Sequence, residues 1–182
     1  QFDFVAGNPP YVRQELIPDA LIAEYRQRYK TIFDRADIYI PFFERSLELF
    51  KPGGVLGFIC ADRWMKNRYG KPLRGLIASR FHLRAFVDMV DTPAFASDVI
   101  AYPGIFVIAN EVGGTTKVAK QPEIEVQELS ELAGALKGKE AEARVHEMHL
   151  VNGAEPWIVD GSGSLELVRA LEAAFPTLEE AG

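Results

Sequence analysis

The sequence has almost no cysteine and no long apolar run, and each absence excludes a class of protein. Cys60 is the single cysteine among 182 residues, so no disulfide can form within the chain and a disulfide-stapled secreted domain is excluded. No apolar stretch reaches the roughly 18 to 20 residues that a transmembrane helix needs. The chain also begins without a charged leader ahead of an apolar segment. We therefore expect a cytoplasmic protein without a membrane partner, in which Cys60 is a small buried hydrophobe.

The composition is that of a packed protein with an uneven distribution of charge. Hydrophobic residues make up 48% and charged residues 25% of the chain, which excludes a disordered or fibrous protein. Residues 1–90 carry 14 Lys and Arg against 10 Asp and Glu, whereas residues 91–182 carry 6 against 16. The basic excess is concentrated in residues 62–80. Such a density is typical of a surface that faces a polyanion, but also of a solvated helix face, so charge alone leaves both interpretations open.

The hydrophobic pattern of the first 60 residues predicts a β-strand, a helix and a second strand. Residues 2–6 form the first strand, which the two following prolines must end because each removes a backbone donor. A broad apolar stripe over residues 38–50 predicts a helix with Asp37 as its N-cap and Pro52-Gly53-Gly54 as its stop. The apolar run over residues 55–60 is typical of a buried strand in a parallel sheet. A βαβ unit is implied.

The other predicted elements continue this α/β pattern. Helices are expected near residues 18–30 and from Pro72 to Phe81, and strands over 83–90 and 105–109. Beyond Asn110 the signals are weaker: a short strand over 123–126, helices over 127–136 and 165–175, and a stretch over 144–151 that is either strand or helix.

The most specific motif is Asn8-Pro9-Pro10-Tyr11, directly after the first strand. It resembles the signature of S-adenosylmethionine-dependent enzymes that methylate the exocyclic N6 of adenine in DNA. The resemblance is closest to the Eco57I-like, type IIG methyltransferases of restriction–modification systems, and it covers residues 1–110 in order. The matching blocks are FDFVAGNPPYVR, ADIYIPFFERSLELFKPGG, VLGFICADRW, YGKPLRGLI and FVDMVDTPAFASDVIAYPGIFVIA. The later PWIVDG resembles the passage towards a target-recognition domain.

The resemblance implies the second half of a Rossmann-like methyltransferase domain. Residues 1–110 would supply the fourth to seventh strands of a mixed sheet with a terminal antiparallel pair, and residues 111–182 an α+β extension. The glycine-rich loop that holds S-adenosylmethionine in such enzymes cannot be found, so we expect the main cofactor-binding half upstream of Gln1. The strand over residues 2–6 would then be an unpaired edge in the isolated chain. We expect that chain to bind the cofactor negligibly and to self-associate.

By the same resemblance, Asn8 to Tyr11 are the catalytic residues. An adenine amino nitrogen is a poor nucleophile because its lone pair is delocalised into the ring. The Asn8 side-chain oxygen and the Pro9 carbonyl can each accept an amino hydrogen, which localises that pair on nitrogen. Pro10 keeps the loop rigid, and Tyr11 offers a ring on which a base rotated out of the duplex can stack.

The resemblance also assigns ligand contacts outside the motif. Phe95 falls at a position that packs against the flipped base, although a core phenylalanine is the alternative. Asp37 and Tyr39 match a block near the cofactor, beside Asn8. Double-stranded DNA is the expected partner, with its backbone contacted by the basic cluster Arg63, Lys66, Arg68 and Lys71.

Other interpretations of the sequence remain open. An amide NH₂ poses the same chemical problem as an adenine amino group, so RNA or a protein glutamine is an alternative substrate. The isolated chain is alternatively a non-catalytic structural or DNA-contact module. His146 and His149 do not have the HExxH spacing, and we expect no metal.

Overall fold

The computed structural model describes residues 1–12, 14–92, 102–138 and 144–159, together with 171, 174 and 175. Its strands are β1 (Phe2–Gly7), β2 (Phe50–Ala61), β3 (His82–Asp88), β4 (Pro103–Ala109), β5 (Thr116–Lys120) and β6 (Val145–Met148). Its helices are α1 (Asp19–Arg28), α2 (Tyr39–Glu48), α3 (Arg63–Lys66), α4 (Lys71–Arg80) and α5 (Val126–Leu136), with short 3₁₀ turns at Gln14–Leu16 and Arg68–Gly70. None of the helices described has the length and apolarity needed to cross a membrane.

The strands form one mixed sheet in the order β1-β2-β4-β3-β5-β6. β1 runs parallel to β2, and β3 runs parallel to β5, whereas β4 lies antiparallel between β2 and β3. The predicted α/β fold, with a mixed sheet and an antiparallel pair formed by β3 and β4, is confirmed. β5 and β6 extend the sheet beyond that pair, so the described part of residues 111–182 is continuous with it.

Side chains of β2 alternate between the two faces of the sheet. Leu56, Phe58 and Cys60 are buried in the larger core beside α2 and α4, whereas Ile59 packs against the smaller core that α5 covers. Burial raises the pKa of the Cys60 thiol, in agreement with the predicted buried hydrophobe. An aromatic cluster fills the larger core near the carboxyl end of β2, with ring centroids 5.0 Å apart for Phe43 and Phe58 and 5.4 Å for Phe43 and Trp64.

Two details of the predicted helix over residues 38–50 are wrong. The N-cap position of α2 is held by Ile38, without a side-chain capping bond, so Asp37 lies one residue too early to be the cap. Pro52-Gly53-Gly54 does not stop the helix, which has already ended at Glu48, but lies inside β2. Gly53 takes a positive φ of 76°, and the Gly53 amide donates to the Asn110 backbone oxygen at 3.0 Å. The two glycines therefore extend the β2–β4 ladder instead of breaking it.

Beyond Asn110, the structure confirms some of the predicted elements and contradicts another. The strand predicted over residues 123–126 is wrong, because α5 begins at Val126 and the strand of this region is β5. The helix predicted over 127–136 is confirmed, and residues 144–151 contain the strand β6. The helix predicted over 165–175 lies outside the described residues except for 171, 174 and 175.

β1 is the edge of the sheet in the described chain. The Phe4 side chain is 79% exposed and the Phe2 side chain 53% exposed. An apolar strand that pairs on one side only is a template for another strand, and the predicted exposed edge is confirmed. Self-association of the isolated chain stays a prediction.

Candidate functional site

The loop Asn8-Pro9-Pro10-Tyr11 leaves the sheet at the carboxyl end of β1. Gly7, the last residue of β1, pairs with Phe58 of the parallel strand β2, so the loop lies beside the end of β2. Asn8 and Pro10 are exposed, while Pro9 is buried. Ligands of parallel sheets bind outside the carboxyl ends of the strands. The exposed Asn8 amide, anchored between β1 and a buried proline, is therefore placed at the edge where a substrate would bind.

Tyr11 is packed on one side and open on the other. Its ring centroid lies 6.1 Å from that of Tyr39, with the planes tilted by 52°, yet its side chain is 48% exposed. Partial burial raises the pKa of the Tyr11 hydroxyl to about 12, an effect that a hydrogen bond with the Ala61 backbone partly offsets. A ring that packs against Tyr39 and keeps about half of its surface exposed can present a face to a planar ligand.

Tyr39 lies behind Tyr11 and is fully buried. Its hydroxyl is 2.8 Å from the hydroxyl of Tyr69, and burial raises its pKa well above the usual range. The Tyr39 side chain has no exposed surface and packs against the Tyr11 ring, and its predicted contact with the cofactor stays a prediction. Asp37 is half-buried, and its negative charge contributes to raising the pKa values of Tyr39 and Tyr69.

The basic cluster lies on α3, the following 3₁₀ turn and the first residue of α4, which come directly after β2 and therefore at the same edge of the sheet as Asn8. All four side chains are exposed. The two arginines lie over rings, Arg63 at 4.7 Å from the Tyr102 centroid and Arg68 at 5.8 Å from that of Phe33. The two lysines form ion pairs, Lys66 with Asp62 at 3.1 Å and Lys71 with Glu155 at 3.6 Å.

A buried arginine holds this basic segment in place. Arg74 is 2% exposed, and its guanidinium donates hydrogen bonds to the backbone oxygens of Trp64 at 2.6 Å, Asn67 at 2.8 Å and Ala154 at 2.9 Å. The backbone at Gly70 lies directly against the backbone of Trp64, and only glycine fits there, since a Cβ at position 70 would lie 1.8 Å from the Trp64 backbone oxygen. In the sequence Arg74 is one of the basic residues within 62–80, and the pattern does not indicate that it is buried.

The segment after β6 packs against α3, which carries part of the basic cluster. The backbone amide of Trp157 donates to the Met65 oxygen at 2.8 Å, and the rings of Trp157 and Trp64 lie 5.4 Å apart. Trp157 belongs to the PWIVDG stretch. That stretch is therefore joined to the basic segment in the described chain.

An aromatic groove of about 220 Å³ lies between α1 and α2, and sequence reasoning did not identify it. Residues that line it include Tyr25, Tyr29, Ile38, Pro41 and Phe42. The Phe42 side chain is 44% exposed, an unusual value on a helix whose other aromatic residues are buried. In the sequence Phe42 belongs to the apolar stripe of α2, so only the structure shows that this side chain is exposed and lines a groove.

Two predicted positions lie elsewhere. Phe95 is outside the described residues. His146 and His149 are exposed on and after β6, and among the described residues no group of three or more His, Cys, Asp or Glu side chains is placed to hold a metal ion.

Comparison with known proteins decides the family. Residues 1–95 match the Eco57I restriction-modification methylase family. The chain belongs to this family. It is 61% identical over 186 residues to the type II methyltransferase M.PaeR7I of Pseudomonas aeruginosa, and 54% identical over 188 residues to M.XhoI of Xanthomonas vasicola. The whole chain is covered in both alignments, but it spans only 32% and 34% of those curated relatives.

Solved structures show the fold of this family member at low sequence identity. A Listeria monocytogenes protein assigned to the class I S-adenosylmethionine-dependent methyltransferases superposes with a TM-score of 0.57 at 14% identity, over 75% of this chain and 42% of that one. The type IIG restriction endonuclease BpuSI superposes with a TM-score of 0.61 at 19% identity, over 80% of this chain and 19% of that one. The fold is thus that of S-adenosylmethionine-dependent methyltransferases.

Proposed function

We propose that these 182 residues are the target-base half of a site-specific DNA methyltransferase that transfers a methyl group to adenine N6 in a restriction–modification system. The observation that carries the proposal is the loop after β1, where the Asn8 amide is exposed and the Tyr11 ring is half-exposed against a buried support. Membership of a restriction-modification methylase family supports it. Residues beyond this chain would complete the enzyme.

The proposed chemistry uses Asn8 and Pro9 as acceptors. The side-chain oxygen of Asn8 and the backbone oxygen of Pro9 would each accept one hydrogen of the adenine amino group, so that the nitrogen becomes tetrahedral. S-adenosylmethionine supplies an electrophilic methyl group. The nitrogen would form the new N–C bond as the C–S bond breaks with its electron pair staying on sulfur, and the nitrogen would then lose one proton to solvent. Tyr11 would stack on the flipped base, and Phe95 is proposed to pack against it from another side.

Part of the cofactor site fits the described residues. Asn8 directly after β1 and Asp37 before α2 offer polar groups, Tyr39 begins α2, and the aromatic groove beside Ile38 would accept a planar apolar group such as a purine ring. We propose that these residues hold one side of S-adenosylmethionine, and that the main binding half lies in the remainder of the full-length protein. The isolated chain should then bind the cofactor negligibly.

We further propose that the basic cluster contacts the phosphates of double-stranded DNA. Arg63 and Arg68 keep their hydrogen-bond donors available, because a ring face attracts the charge without accepting all five N–H groups. Lys66 and Lys71 already pair with carboxylates. The arginines are therefore expected to contribute more than the lysines. A target-recognition domain beyond this chain would select the sequence, and the site of action would be the cytoplasm.

Methylome sequencing tests this proposal. The full-length protein that contains this chain is expressed in a bacterial host without adenine methylation, and genomic DNA is sequenced with a method that detects N6-methyladenine. The proposal predicts methylated adenine in one defined sequence. Labelled methyl groups are followed in parallel into RNA and protein. Methylation confined to RNA or to protein glutamine would overturn the DNA assignment, and no transfer to any of the three would favour a structural module.

A further inference from the structure

Two tyrosine hydroxyls meet in the interior beside the candidate site. Tyr39 on α2 and Tyr69 in the 3₁₀ turn are 30 residues apart in sequence, and their hydroxyl oxygens lie 2.8 Å apart. Tyr39 is fully buried and Tyr69 is half-buried. A buried hydroxyl that loses its partner is costly, so such pairs keep their geometry. A phenylalanine at each position would fill the same volume without that constraint.

Each tyrosine of the pair also touches a different functional element. The Tyr39 ring supports the Tyr11 ring at 6.1 Å, so the orientation of Tyr39 sets the surface on which Tyr11 rests. Tyr69 lies next to Arg68 and two residues before Lys71 in the basic cluster. The turn that carries Tyr69 is itself fixed, since the Gly70 amide donates to the Asn67 oxygen at 3.1 Å and Arg74 holds that same oxygen.

We propose that Tyr69 is a positioning residue that couples the DNA-contacting segment to the target-base loop through the Tyr69–Tyr39–Tyr11 contacts. A phosphate bound by the basic cluster would fix the turn at Tyr69, the hydroxyl pair would fix Tyr39, and the Tyr39 ring would hold Tyr11 in the orientation that receives the base. This inference rests on the proposed function, because it requires DNA on one side and a flipped base on the other.

A purely structural hydrogen bond would behave differently. Losing it would lower the stability of the fold, and both DNA affinity and the methyl-transfer rate of the surviving folded protein would stay the same. A positioning bond, by contrast, separates these quantities. Its loss leaves DNA affinity intact, because the charges remain, but lowers the rate of the step that needs Tyr11 in place.

The test compares Tyr69→Phe, Tyr39→Phe and the double variant in the full-length protein. Thr116→Val is the matched control, because it also removes one buried hydroxyl bond, the 2.8 Å bond from Thr116 Oγ1 to the Leu83 oxygen, at the opposite end of the sheet. DNA affinity and single-turnover methylation are measured on a duplex with the mapped target sequence. Base flipping is followed by the fluorescence of 2-aminopurine placed at the target adenine.

We expect both single variants to bind DNA within about twofold of wild type and to methylate it about five- to tenfold more slowly, the worth of one hydrogen bond. The 2-aminopurine signal should fall in both, and the double variant should be no slower than either single one, since all three break the same bond. Rates within twofold of the Thr116→Val control, or rate losses that multiply in the double variant, would overturn the inference. A wild-type protein without methylation of DNA would instead overturn the proposed function.

Discussion

The guanidinium of Arg74 donates a 2.6 Å hydrogen bond to the backbone oxygen of Trp64. The same group reaches Asn67 and Ala154, which lie on the basic segment and on the chain after β6. One buried cation therefore fixes the shape of the surface that is proposed to meet DNA and joins it to the PWIVDG stretch. Burial lowers the pKa of this guanidinium, which nevertheless stays charged at neutral pH.

Arg74→Met should destabilise the fold more than any change to an exposed residue of the same helix. It leaves three backbone oxygens without their charged donor, and we expect the free energy of unfolding to fall by about 2 to 4 kcal/mol. Arg74→Lys should recover part of this loss. Urea unfolding measures the effect, with Arg80→Met on the exposed end of α4 as control. Equal stability of the Met variants at positions 74 and 80 would contradict the assigned role.

Much of the fold follows from the sequence because it depends on local patterns. The spacing of the apolar residues predicts the helix α2 and the strand β2, and the double proline predicts the loop after β1. β5 escaped notice because only five residues form it and two of them, Lys117 and Lys120, are charged. Its place is set by pairing with β3, more than 25 residues away, and a single sequence does not show such pairing.

The chemistry proposed for the candidate site follows from the sequence, whereas the packing contacts that hold the site in place do not. The order of residues 8–11 is a local motif with a known physical rationale, so it could be identified directly. The roles of Tyr69 and Arg74 depend on partners that lie 30 and 80 residues away. The burial of Tyr39 behind Tyr11 is likewise a property of packing, which the motif does not contain.

Removing charge from the basic cluster should weaken DNA binding equally for all sequences. In the full-length protein, Arg63→Gln and Arg68→Gln should each flatten the slope of log affinity against log salt by about one unit. Lys66→Gln and Lys71→Gln should change it less, because Asp62 and Glu155 already neutralise those lysines. Filter binding or fluorescence anisotropy over a salt series gives the slope. Four unchanged slopes would mean that the cluster is only a solvated surface.

Substitution of Tyr11 should separate its ring from its hydroxyl. Tyr11→Ala removes the ring that is proposed to stack on the base, a contact worth about 1 to 3 kcal/mol, so base flipping and methylation should both decline by about 5- to 150-fold. Tyr11→Phe should be much milder, because the ring and its contact with Tyr39 remain. Single-turnover kinetics with 2-aminopurine fluorescence distinguishes the two variants. A loss in Tyr11→Phe as large as that in Tyr11→Ala would assign the function to the hydroxyl.

Acid should weaken the fold through Glu111. A hydrogen bond from Arg84, at 2.7 Å, is the main reason that the pKa of this carboxyl falls from 4.5 to about 2. A carboxyl with a lowered pKa stabilises the folded state above pH 4.5 and loses that contribution as the pH falls towards 2. The side chain is 34% exposed, so we expect about 1 kcal/mol or less.

Thermal unfolding of wild type and Glu111→Gln between pH 2 and pH 6 measures this contribution. The difference between the two proteins should be largest above pH 4.5 and should disappear near pH 2. A difference that is the same at every pH in this range would show that the carboxylate charge does not stabilise the fold.

Asn8→Ala in the full-length protein tests the central claim most directly. The variant removes the side-chain oxygen that is proposed to accept a hydrogen of the reacting amino group, and it leaves the basic cluster untouched. Asn110→Ala, which removes an amide at the far end of β4, is the control. By analogy with the deletion of an oxyanion-hole donor, we predict that single-turnover methylation of the mapped target falls by about 10² to 10³, while DNA affinity stays within about threefold of wild type. Methylation by Asn8→Ala within twofold of wild type would contradict the assignment of this loop as the catalytic site.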